Sequence, residues 1–334
     1  MTEMQFGKAI NLALADALTA DENVVLMGED IGQLGGVFRV TDGLQDRFGE
    51  ERVMDSPLAE SGIVGTAIGM TYAGVRPVVE IQFDGFIYPA FDQIVAQVAK
   101  LHYRTQGAHR VPITFRVPFG GHIGSVEHHS ESPEAYFAHT AGLRVVTASS
   151  PQEAYSTLRA AIDSDDPVLF FEPKAKYWSK GHVDTGIVRD LNSAVVLQEG
   201  RDVTVATYGP SVELAMKCAV AAADEGIELE VIDLRSISPL DVETVAESVR
   251  KTGRLVVIHE SQSECGIGAE LITAVTETAF EHLAAAPERV TGYDLPYAPS
   301  VWEAEFLPNL DRVLDAVDRT LGRRNSRTKG GVAA

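Results

Sequence analysis

The sequence has few cysteines, a deficit of basic residues and no long apolar run. It contains 2 cysteines, Cys218 and Cys265, so neither a disulfide framework nor a thiolate zinc site is expected. No stretch approaches the ~18 uninterrupted apolar residues that a membrane span needs. Lysine and arginine total 28 against 48 aspartates and glutamates, and the net charge of -20 repels phosphate backbones and anionic lipid. These absences argue against nucleic-acid and membrane partners and favour a reducing, cytoplasmic compartment.

The composition is that of a folded protein with two domains. Hydrophobic residues make up 45% and charged residues 23%, which is typical of globular chains, and 334 residues can bury two cores. The first twenty residues place apolar side chains at helical spacing around Glu3, Lys8 and Asp16. They predict an amphipathic helix and no signal or transit peptide, although a eukaryotic protein of this kind would be expected in the mitochondrial matrix.

Short β-branched runs alternate with helical patterns, which predicts α/β domains on largely parallel sheets. The first half has predicted strands at residues 24–27, 78–83, 113–117, 144–147 and 168–171, with helices at 61–72, 86–104 and 152–162. The second has predicted strands at 203–207, 228–232 and 255–259, with helices at 212–225, 242–250 and 268–280. The pattern fades between residues 174 and 200. We therefore predict a first domain over 1–185, a linker over 186–200, a second domain over 201–322 and a mobile tail over 323–334.

The segment from Asp55 to Glu60 leads a proline-containing loop into a helix rich in small residues. The apolar neighbours expected to desolvate the Glu60 carboxyl group are Leu58, Ala59, Ile63 and Val64. Desolvation favours the neutral carboxyl group, which can then both give and accept a proton. A simpler alternative is that Glu60 only complements the helix dipole, and from these residues alone the simpler alternative is favoured.

A glycine- and histidine-rich loop at residues 120–133 follows a predicted strand, where open α/β sheets place their ligands. Four histidines lie in this loop or shortly after it, namely His122, His128, His129 and His139. Their spacing matches no common zinc pattern, so a histidine that handles protons is the favoured functional interpretation. Aromatic side chains in segment 80–93 can stack on a planar ring or simply pack in a core. Segment 263–271 lacks the third glycine of a dinucleotide fingerprint, so NAD binding is not expected.

Six separated motifs resemble, in the same order, the β subunits of thiamin-diphosphate-dependent 2-oxo-acid dehydrogenases of the branched-chain and pyruvate types. The motifs are DSPLAESGIVG, EIQFDGFIYPAFDQI, EHHSESPEAYFAH, DPVLFFEPK, EVIDLRSISPLD and TGRLVVIHE. The resemblance implies a two-domain transketolase-like fold, with a parallel-sheet pyrimidine-binding domain and a smaller α/β transketolase C-terminal domain. It also implies two α subunits joined to two β subunits, and a lipoyl-bearing dihydrolipoamide acyltransferase core as partner.

The resemblance assigns roles to individual residues. Glu60 would hydrogen-bond the aminopyrimidine ring of thiamin diphosphate, and His129 would supply protons near the thiazolium and the lipoyl group, with His128 next to it. Phe86 stands where the family often has tyrosine, so it keeps a stacking face and loses a hydroxyl group. The other pocket residues implied by the resemblance are Leu58, Ala59 and Gln82.

The resemblance also bears on metals. A potassium ion would bind mainly backbone oxygens, at Ile113, Ala161, Ile162, Ser164 and Asp166, and carbonyl groups suit such an ion. Ser164 replaces a residue that is often aspartate in the family. The sequence has no Gly-Asp-Gly followed by a downstream asparagine, the family's magnesium-diphosphate cradle. Magnesium and diphosphate are therefore expected on the α subunit, with thiamin diphosphate shared across the α–β interface.

The expected reaction is decarboxylation of a 2-oxo acid on thiamin diphosphate, followed by acyl transfer to a lipoyl arm, and it requires the α subunit. The segment HSESPEAYFAH favours a branched-chain substrate, with pyruvate as the alternative. Two further alternatives are a split transketolase-like enzyme and a non-catalytic acidic scaffold. The glycine–histidine loop and the HSES segment argue against the former, and the intact Glu60 and His129 argue against the latter.

Overall fold

The structure, a computed structural model, describes residues 1–323, and these residues form a seven-stranded sheet, a five-stranded sheet and a two-stranded sheet, with helices packed against the larger two. The strands are β1 (Thr2–Gln5), β2 (Val24–Gly28), β3 (Val53–Asp55), β4 (Arg76–Glu80), β5 (Thr114–Phe119), β6 (Arg144–Thr147), β7 (Val168–Pro173), β8 (Lys180–Val183), β9 (Val195–Gln198), β10 (Val203–Thr207), β11 (Leu229–Asp233), β12 (Ser236–Ser238), β13 (Leu255–Ile258) and β14 (Glu288–Val290). The helices are α1 (Phe6–Ala20), α2 (Leu44–Phe48), α3 (Glu60–Tyr72), α4 (Ala99–Arg104), α5 (Glu134–Ala138), α6 (Pro151–Asp163), α7 (Ser211–Ala223), α8 (Val242–Thr252), α9 (Ile267–Ala279), α10 (Glu303–Phe306) and α11 (Leu310–Thr320). The tail predicted over 323–334 lies, from residue 324 onward, outside the described residues.

Seven strands form the main sheet of the first unit, in the order β12-β6-β7-β5-β4-β2-β3. Every neighbouring pair is parallel except β12 with β6. The strands β2, β5 and β7 are buried along their whole length, as expected for a parallel sheet covered on both faces. The predicted parallel-sheet α/β architecture is confirmed.

Helix α1 covers one face of this sheet and packs against α6. Phe6, Ile10, Leu14 and Leu18 recur at helical spacing and are buried in one apolar cluster. The helix predicted over the first twenty residues therefore exists, but it begins at Phe6. The preceding residues form β1, which pairs antiparallel with β8, a long-range contact that no local pattern reveals.

The helix predicted over 86–104 is a composite of three helical types. A 3-10 segment covers Asp84–Ala90, a π-helical segment covers Gln93–Val98, and α4 completes the run. Pro89 lies inside the first segment and has no N–H group, so a regular α-helical ladder cannot form there. Ile94 and Val98 are buried, so two apolar side chains of this run face the core even though the helix type differs from the predicted one.

The boundary between the units differs in detail from the predicted linker over 186–200. The first unit comprises Met1–Ser193, Arg235–Pro239 and Pro296–Glu303, and the second begins at Ala194. Strand β9 therefore lies inside the predicted linker. It is a partly exposed edge strand without a sustained apolar alternation, which explains why the sequence pattern does not show it.

The second unit has a five-stranded sheet in the order β14-β13-β10-β11-β9, parallel except for β9. Its helices carry clear end signals: Asp241 caps α8 by accepting a hydrogen bond from the Thr244 N–H, and Gly253 ends α8 in the left-handed conformation. Among the described residues of the chain, no helix combines the length and the apolar character that a membrane crossing requires.

A buried histidine follows β13 in the second unit. The Nδ1 atom of His259 lies 2.9 Å from the Ser261 hydroxyl oxygen, and a side-chain carbon on Gly268 would approach Nε2 to 2.9 Å. Burial lowers the pKa of His259 to about 4, because the protonated ring would lose its hydration; the Ser261 carbonyl opposes this shift and the charge of Arg289 adds to it. His259 is therefore neutral in the folded protein at neutral pH.

This neutral histidine predicts a pH-dependent loss of stability in the second unit. As pH falls below about 6.5, the unfolded chain protonates His259 while the folded chain resists until its own pKa is reached, so unfolding becomes easier. Between pH 7 and pH 4 we expect this residue to remove about 3 kcal/mol of unfolding free energy.

The measurement is urea unfolding across this range for the wild type and His259→Gln, whose pH dependence should be flatter. The exposed His282 provides the control, since His282→Gln should keep the wild-type slope. Equal slopes for all three proteins would contradict the prediction.

Candidate active site

The carboxyl ends of three parallel strands meet at one edge of the first unit's sheet. Gly28, at the end of β2, is paired with Asp55 on β3 and with Glu80 on β4. The segments that follow these strands therefore start side by side: Glu29 after β2, the loop to α3 after β3, and Gln82 after β4. This is the edge at which open α/β sheets bind ligands.

Glu60 is the first residue of α3 and is half-buried. Its carboxylate has no hydrogen-bond or ion-pair partner within residues 1–323. Ile63 and Val64, one turn further along the helix, are buried as predicted. The other two expected neighbours differ: Leu58 is 67% exposed and Ala59 is also exposed, because both precede the helix in an outward-facing loop. The apolar surroundings of Glu60 are thus one-sided in this chain.

A second carboxylate, that of Glu29, lies near Glu60 and belongs to none of the motifs in the sequence. The pKa of Glu29 is raised above its usual value, first by burial and then by the negative charges of Asp30 and Glu60. Asp55 adds a further carboxylate at this edge and accepts a hydrogen bond from the Gly32 N–H at 2.6 Å. Glu29 directly follows a buried strand, so the rule on strand ends could have identified it. This edge is strongly acidic and disfavours the binding of anions.

An aromatic group formed by Phe83, Phe86, His128 and His129 lies beside the end of β4. The His129 ring stacks on Phe83 with centroids 4.2 Å apart and meets Phe86 edge-on at 5.3 Å. The carbonyl oxygen of His128 passes so close to Gly85 that a side-chain carbon there would overlap it. The structure thus brings together Phe86 and His129, two of the predicted site residues.

The hydrogen bond of His129 fixes its ring chemistry. Its Nδ1 atom lies 2.9 Å from the His128 carbonyl oxygen, and a carbonyl can only accept, so Nδ1 carries the proton. In the neutral ring Nε2 is then the acceptor, and it has no hydrogen-bond partner in the part of the chain that the structure describes. An acceptor nitrogen on a half-buried imidazole can take up a proton from a ligand.

A buried ion pair lies next to the aromatic group. The Lys174 ammonium donates to the Asp84 carboxylate, and both side chains are fully buried. The other oxygen of Asp84 accepts from the Glu131 N–H at 2.9 Å, which ties the glycine–histidine loop to the 3-10 segment after β4. Burial raises the pKa of Asp84 to about 6, with the charge of Lys174 opposing the shift. Lys174 also lies 5.9 Å from the centroid of the Phe83 ring.

A second buried network joins three adjacent strands. The guanidinium group of Arg116 donates to Glu172 at 2.7 and 2.9 Å and to Glu80 at 2.5 Å. The Tyr177 hydroxyl donates to Glu172 at 2.7 Å, and burial raises the pKa of Tyr177 well above its usual value. Phe38 stacks on Tyr177 at 4.7 Å and meets Phe83 edge-on at 5.5 Å. The network therefore reaches the aromatic group through packed rings.

The remaining predicted residues lie apart from one another. Gln82 is half-buried directly before Phe83. His122 and His139 are exposed, and within residues 1–323 no three histidine, cysteine, aspartate or glutamate side chains are arranged to hold a metal ion. The carbonyl groups predicted to bind potassium lie around the turn before β7, at the amino edge of the sheet and not at the edge that carries Glu60.

Comparison with protein families gives two matches that together span most of the chain. Residues 2–179 match the family "Transketolase, pyrimidine binding domain", and residues 192–313 match "Transketolase, C-terminal domain". Among solved structures, a chain described as "Split gene transketolase, inactive beta4 tetramer" superimposes with a TM-score of 0.78 at 21% identity, covering 96% of this chain and 99% of that one. At this identity the likeness concerns the fold alone.

Curated relatives are much more similar in sequence. The pyruvate dehydrogenase E1 component subunit beta of Leifsonia xyli is 53% identical, with 94% of each chain covered. The 3-methyl-2-oxobutanoate dehydrogenase subunit beta of Mycobacterium tuberculosis is 50% identical over 94% of this chain and 91% of the relative. The 2-oxoisovalerate dehydrogenase subunit beta of Pseudomonas aeruginosa is 45% identical, with 96% of each chain covered.

The buried Lys174–Asp84 pair generates a stability prediction. Asp84→Ala removes the carboxylate beside a fully buried ammonium group and should lower the unfolding free energy of the first unit by about 3–5 kcal/mol. Urea unfolding followed by tryptophan fluorescence and circular dichroism measures the loss. Asp46→Ala, at an exposed position in α2, is the matched control and should change stability by no more than about 0.5 kcal/mol. Similar unfolding midpoints for the two variants would show that the pair is not needed.

Proposed function

The chain belongs to the β subunits of thiamin-diphosphate-dependent 2-oxo-acid dehydrogenases, and from that premise we propose that it forms half of an active site completed by an α subunit. The proposed reaction is oxidative decarboxylation of a 2-oxo acid with transfer of the acyl group to the lipoyl arm of an acyltransferase core. The observation that carries the proposal is the Glu60 carboxylate, which stands at the ligand-binding edge of the sheet without a hydrogen-bond partner within residues 1–323.

The residues around Glu60 fit the aminopyrimidine end of thiamin diphosphate. A carboxyl group that shares a proton with a weakly basic ring nitrogen must reach that nitrogen directly, and Glu60 has no competing partner in the described chain. Phe86 presents an aromatic ring for stacking, and Leu58 leaves an exposed apolar side chain beside Glu60. Bound thiamin diphosphate would supply the electron sink for the pair of electrons released with carbon dioxide.

The charge at this edge supports a site shared between two chains. Glu29 interacts electrostatically with Asp30 and Glu60, and Asp55 adds a further carboxylate at the same edge of the sheet, so this edge repels a diphosphate group. We therefore propose that the diphosphate and its magnesium ion bind to the α subunit. Covering Leu58 and Ala59 by that subunit would complete the one-sided apolar surroundings of Glu60 and exclude water from its carboxyl group.

We propose that His129 handles protons during acyl transfer. Its Nδ1–H is held by the His128 carbonyl, so its Nε2 atom can carry a proton, which it would deliver to the departing sulfur when the lipoyl disulfide opens and the other sulfur takes the acyl group. Contact with Phe83 and Phe86 holds the ring in one orientation, which is what a general acid–base group requires.

We propose a branched-chain 2-oxo acid as the substrate, because the segment HSESPEAYFAH resembles that type. The relatives named above include both types, and the one that is 53% identical carries a pyruvate name, so pyruvate is the alternative. A split transketolase-like activity is a less favoured candidate, since the likeness to such a protein extends to the fold alone.

The test is decarboxylation by the full chain with and without its co-expressed α subunit. Thiamin diphosphate and magnesium are supplied, and branched-chain 2-oxo acids, pyruvate and a ketose phosphate are compared as substrates. We expect turnover only in the mixture and highest kcat/KM for a branched-chain acid. Activity of this chain alone, or turnover of the ketose only, would overturn the proposal, whereas a preference for pyruvate would overturn only the substrate assignment.

Glu60→Gln in the same assembly should reduce kcat for decarboxylation by about 100-fold or more, because the amide cannot trade a proton with the ring nitrogen. Glu270→Gln is the matched control: Glu270 also lies in the first turn of a helix and is exposed. If helix-dipole complementarity were the only role of Glu60, the two variants would behave alike. Size-exclusion chromatography verifies that both variants assemble.

His129→Gln should slow reductive acylation of a lipoyl domain by about 100-fold. Decarboxylation coupled to an artificial electron-accepting dye should change much less, because it bypasses the lipoyl step. His139→Gln, at an exposed position after α5, is the control and should leave both rates unchanged. Equal losses of rate in the two assays would contradict a specific role of His129 in acyl transfer.

A further inference from the structure

The turn between α6 and β7 lies at the amino edge of the first unit's sheet, away from the edge that carries Glu60. Strands β4, β5 and β7 are parallel and begin on this side. The carbonyl groups expected to bind potassium come together here: Ile113, Ala161, Ile162, Ser164 and Asp166. Whether they fit an ion depends on what each oxygen already contacts.

Three of the five oxygens accept hydrogen bonds from their own surroundings. The Ile113 carbonyl accepts from the Val168 N–H at 2.9 Å, and the Ala161 carbonyl accepts from the Ser164 N–H at 3.2 Å. The Asp166 carbonyl accepts from the Ser164 hydroxyl at 3.2 Å. A carbonyl oxygen has two lone pairs, so these contacts alone do not exclude an ion. Whether an ion fits therefore depends on the remaining two oxygens, those of Ile162 and Ser164.

The carbonyls of Ile162 and Ser164 both accept from one nitrogen of Arg76. Its Nη1 atom lies 3.1 Å from the Ile162 oxygen and 2.6 Å from the Ser164 oxygen. The Arg76 backbone is fixed at the start of β4, where its N–H donates to Asn23 at 2.8 Å. An ion bridging the same two oxygens would compete for the volume that Nη1 fills, and it would face a fixed positive charge.

The carboxylates near this turn also face arginines. Asp165 accepts from the same guanidinium group at 3.0 Å and pairs with Arg110. Asp21 lies 3.8 Å from the guanidinium Nε atom. The Asp166 carboxylate accepts from Arg144 Nε at 3.2 Å. The negative charge that would attract a cation is therefore already balanced by side chains of the chain itself.

We infer that Arg76 takes the place of a bound monovalent cation in this protein and that the carbonyl groups around the turn hold no potassium. A guanidinium group is always charged, is weakly hydrated and offers several N–H donors in one plane, so it can replace an ion among carbonyl oxygens. Ser164 agrees with this assignment, since it contributes no carboxylate to an ion. Arg76 thereby ties the start of β4 to the turn before β7.

Thallium(I), a heavy-atom substitute for potassium, tests the inference on the wild-type assembly of this chain with its α subunit. Crystals are soaked in thallium acetate, and melting is compared in potassium acetate and choline acetate at equal ionic strength. We expect no anomalous peak at the Ile162 and Ser164 oxygens, and the same apparent Tm in the two salts to within about 1 °C. A thallium peak coordinated by these oxygens would overturn the inference.

The double variant Arg76→Ala/Ser164→Asp should create the cation dependence that the wild type lacks. Loss of the charged hydrogen bonds should lower its Tm in choline acetate by about 3 °C or more, and potassium acetate should restore most of the loss. Arg110→Ala is the matched control, because Arg110 pairs with Asp165 on the same turn but with none of the five carbonyls. Its Tm should not distinguish the salts. A double variant equally unstable in both salts would contradict the idea that Arg76 stands in for an ion.

Discussion

The first unit depends on one buried arrangement of charge, the guanidinium group of Arg116 held between Glu80 and Glu172. The three residues lie on adjacent strands β4, β5 and β7 and are almost completely buried. Removing one partner of such a group leaves an uncompensated charge in the core, which costs several kcal/mol. A slip of one residue in either strand pairing would turn a charged side chain to the opposite face. The network therefore makes the strand register specific, and the register sets which residues meet at each edge of the sheet.

The two edges of this sheet differ in charge because different side chains lie at each of them. At the carboxyl edge, Glu60 and Glu29 bring negative charge together without a cationic partner among the residues described, so this edge is suited to a ligand or to a second subunit. At the amino edge, carboxylate and carbonyl oxygens are matched by arginines, Arg76 above all. The first arrangement is electrostatically incomplete and the second is complete. This contrast is a physical reason to locate chemistry at one edge and stabilisation at the other.

Sequence patterns predicted the regular strands and helices well, because a buried parallel strand and an amphipathic helix both leave local periodicities. The same patterns could not reveal β1 and β9, whose pairing partners lie far away in sequence or at a sheet edge. Four apolar neighbours were predicted to desolvate the Glu60 carboxyl group. The fold buries two of them, Ile63 and Val64, because only these two belong to the helix. The sequence did not predict that Arg76 contacts the carbonyl oxygens near the turn before β7. The motif resemblance identified only the carbonyl oxygens, and no rule of residue spacing shows which side chain on another strand donates to them.

The exposed side of the Glu60 site has a thermodynamic consequence for assembly. Proton exchange between a carboxyl group and a weak base is favoured when water is excluded from the pair. Leu58, which is 67% exposed next to Glu60, offers apolar area whose burial favours association. The contact that would dry the carboxyl group is thus the same contact that would stabilise the complex. If the proposed assembly is correct, coenzyme affinity and proton chemistry would therefore arise together when the partner binds.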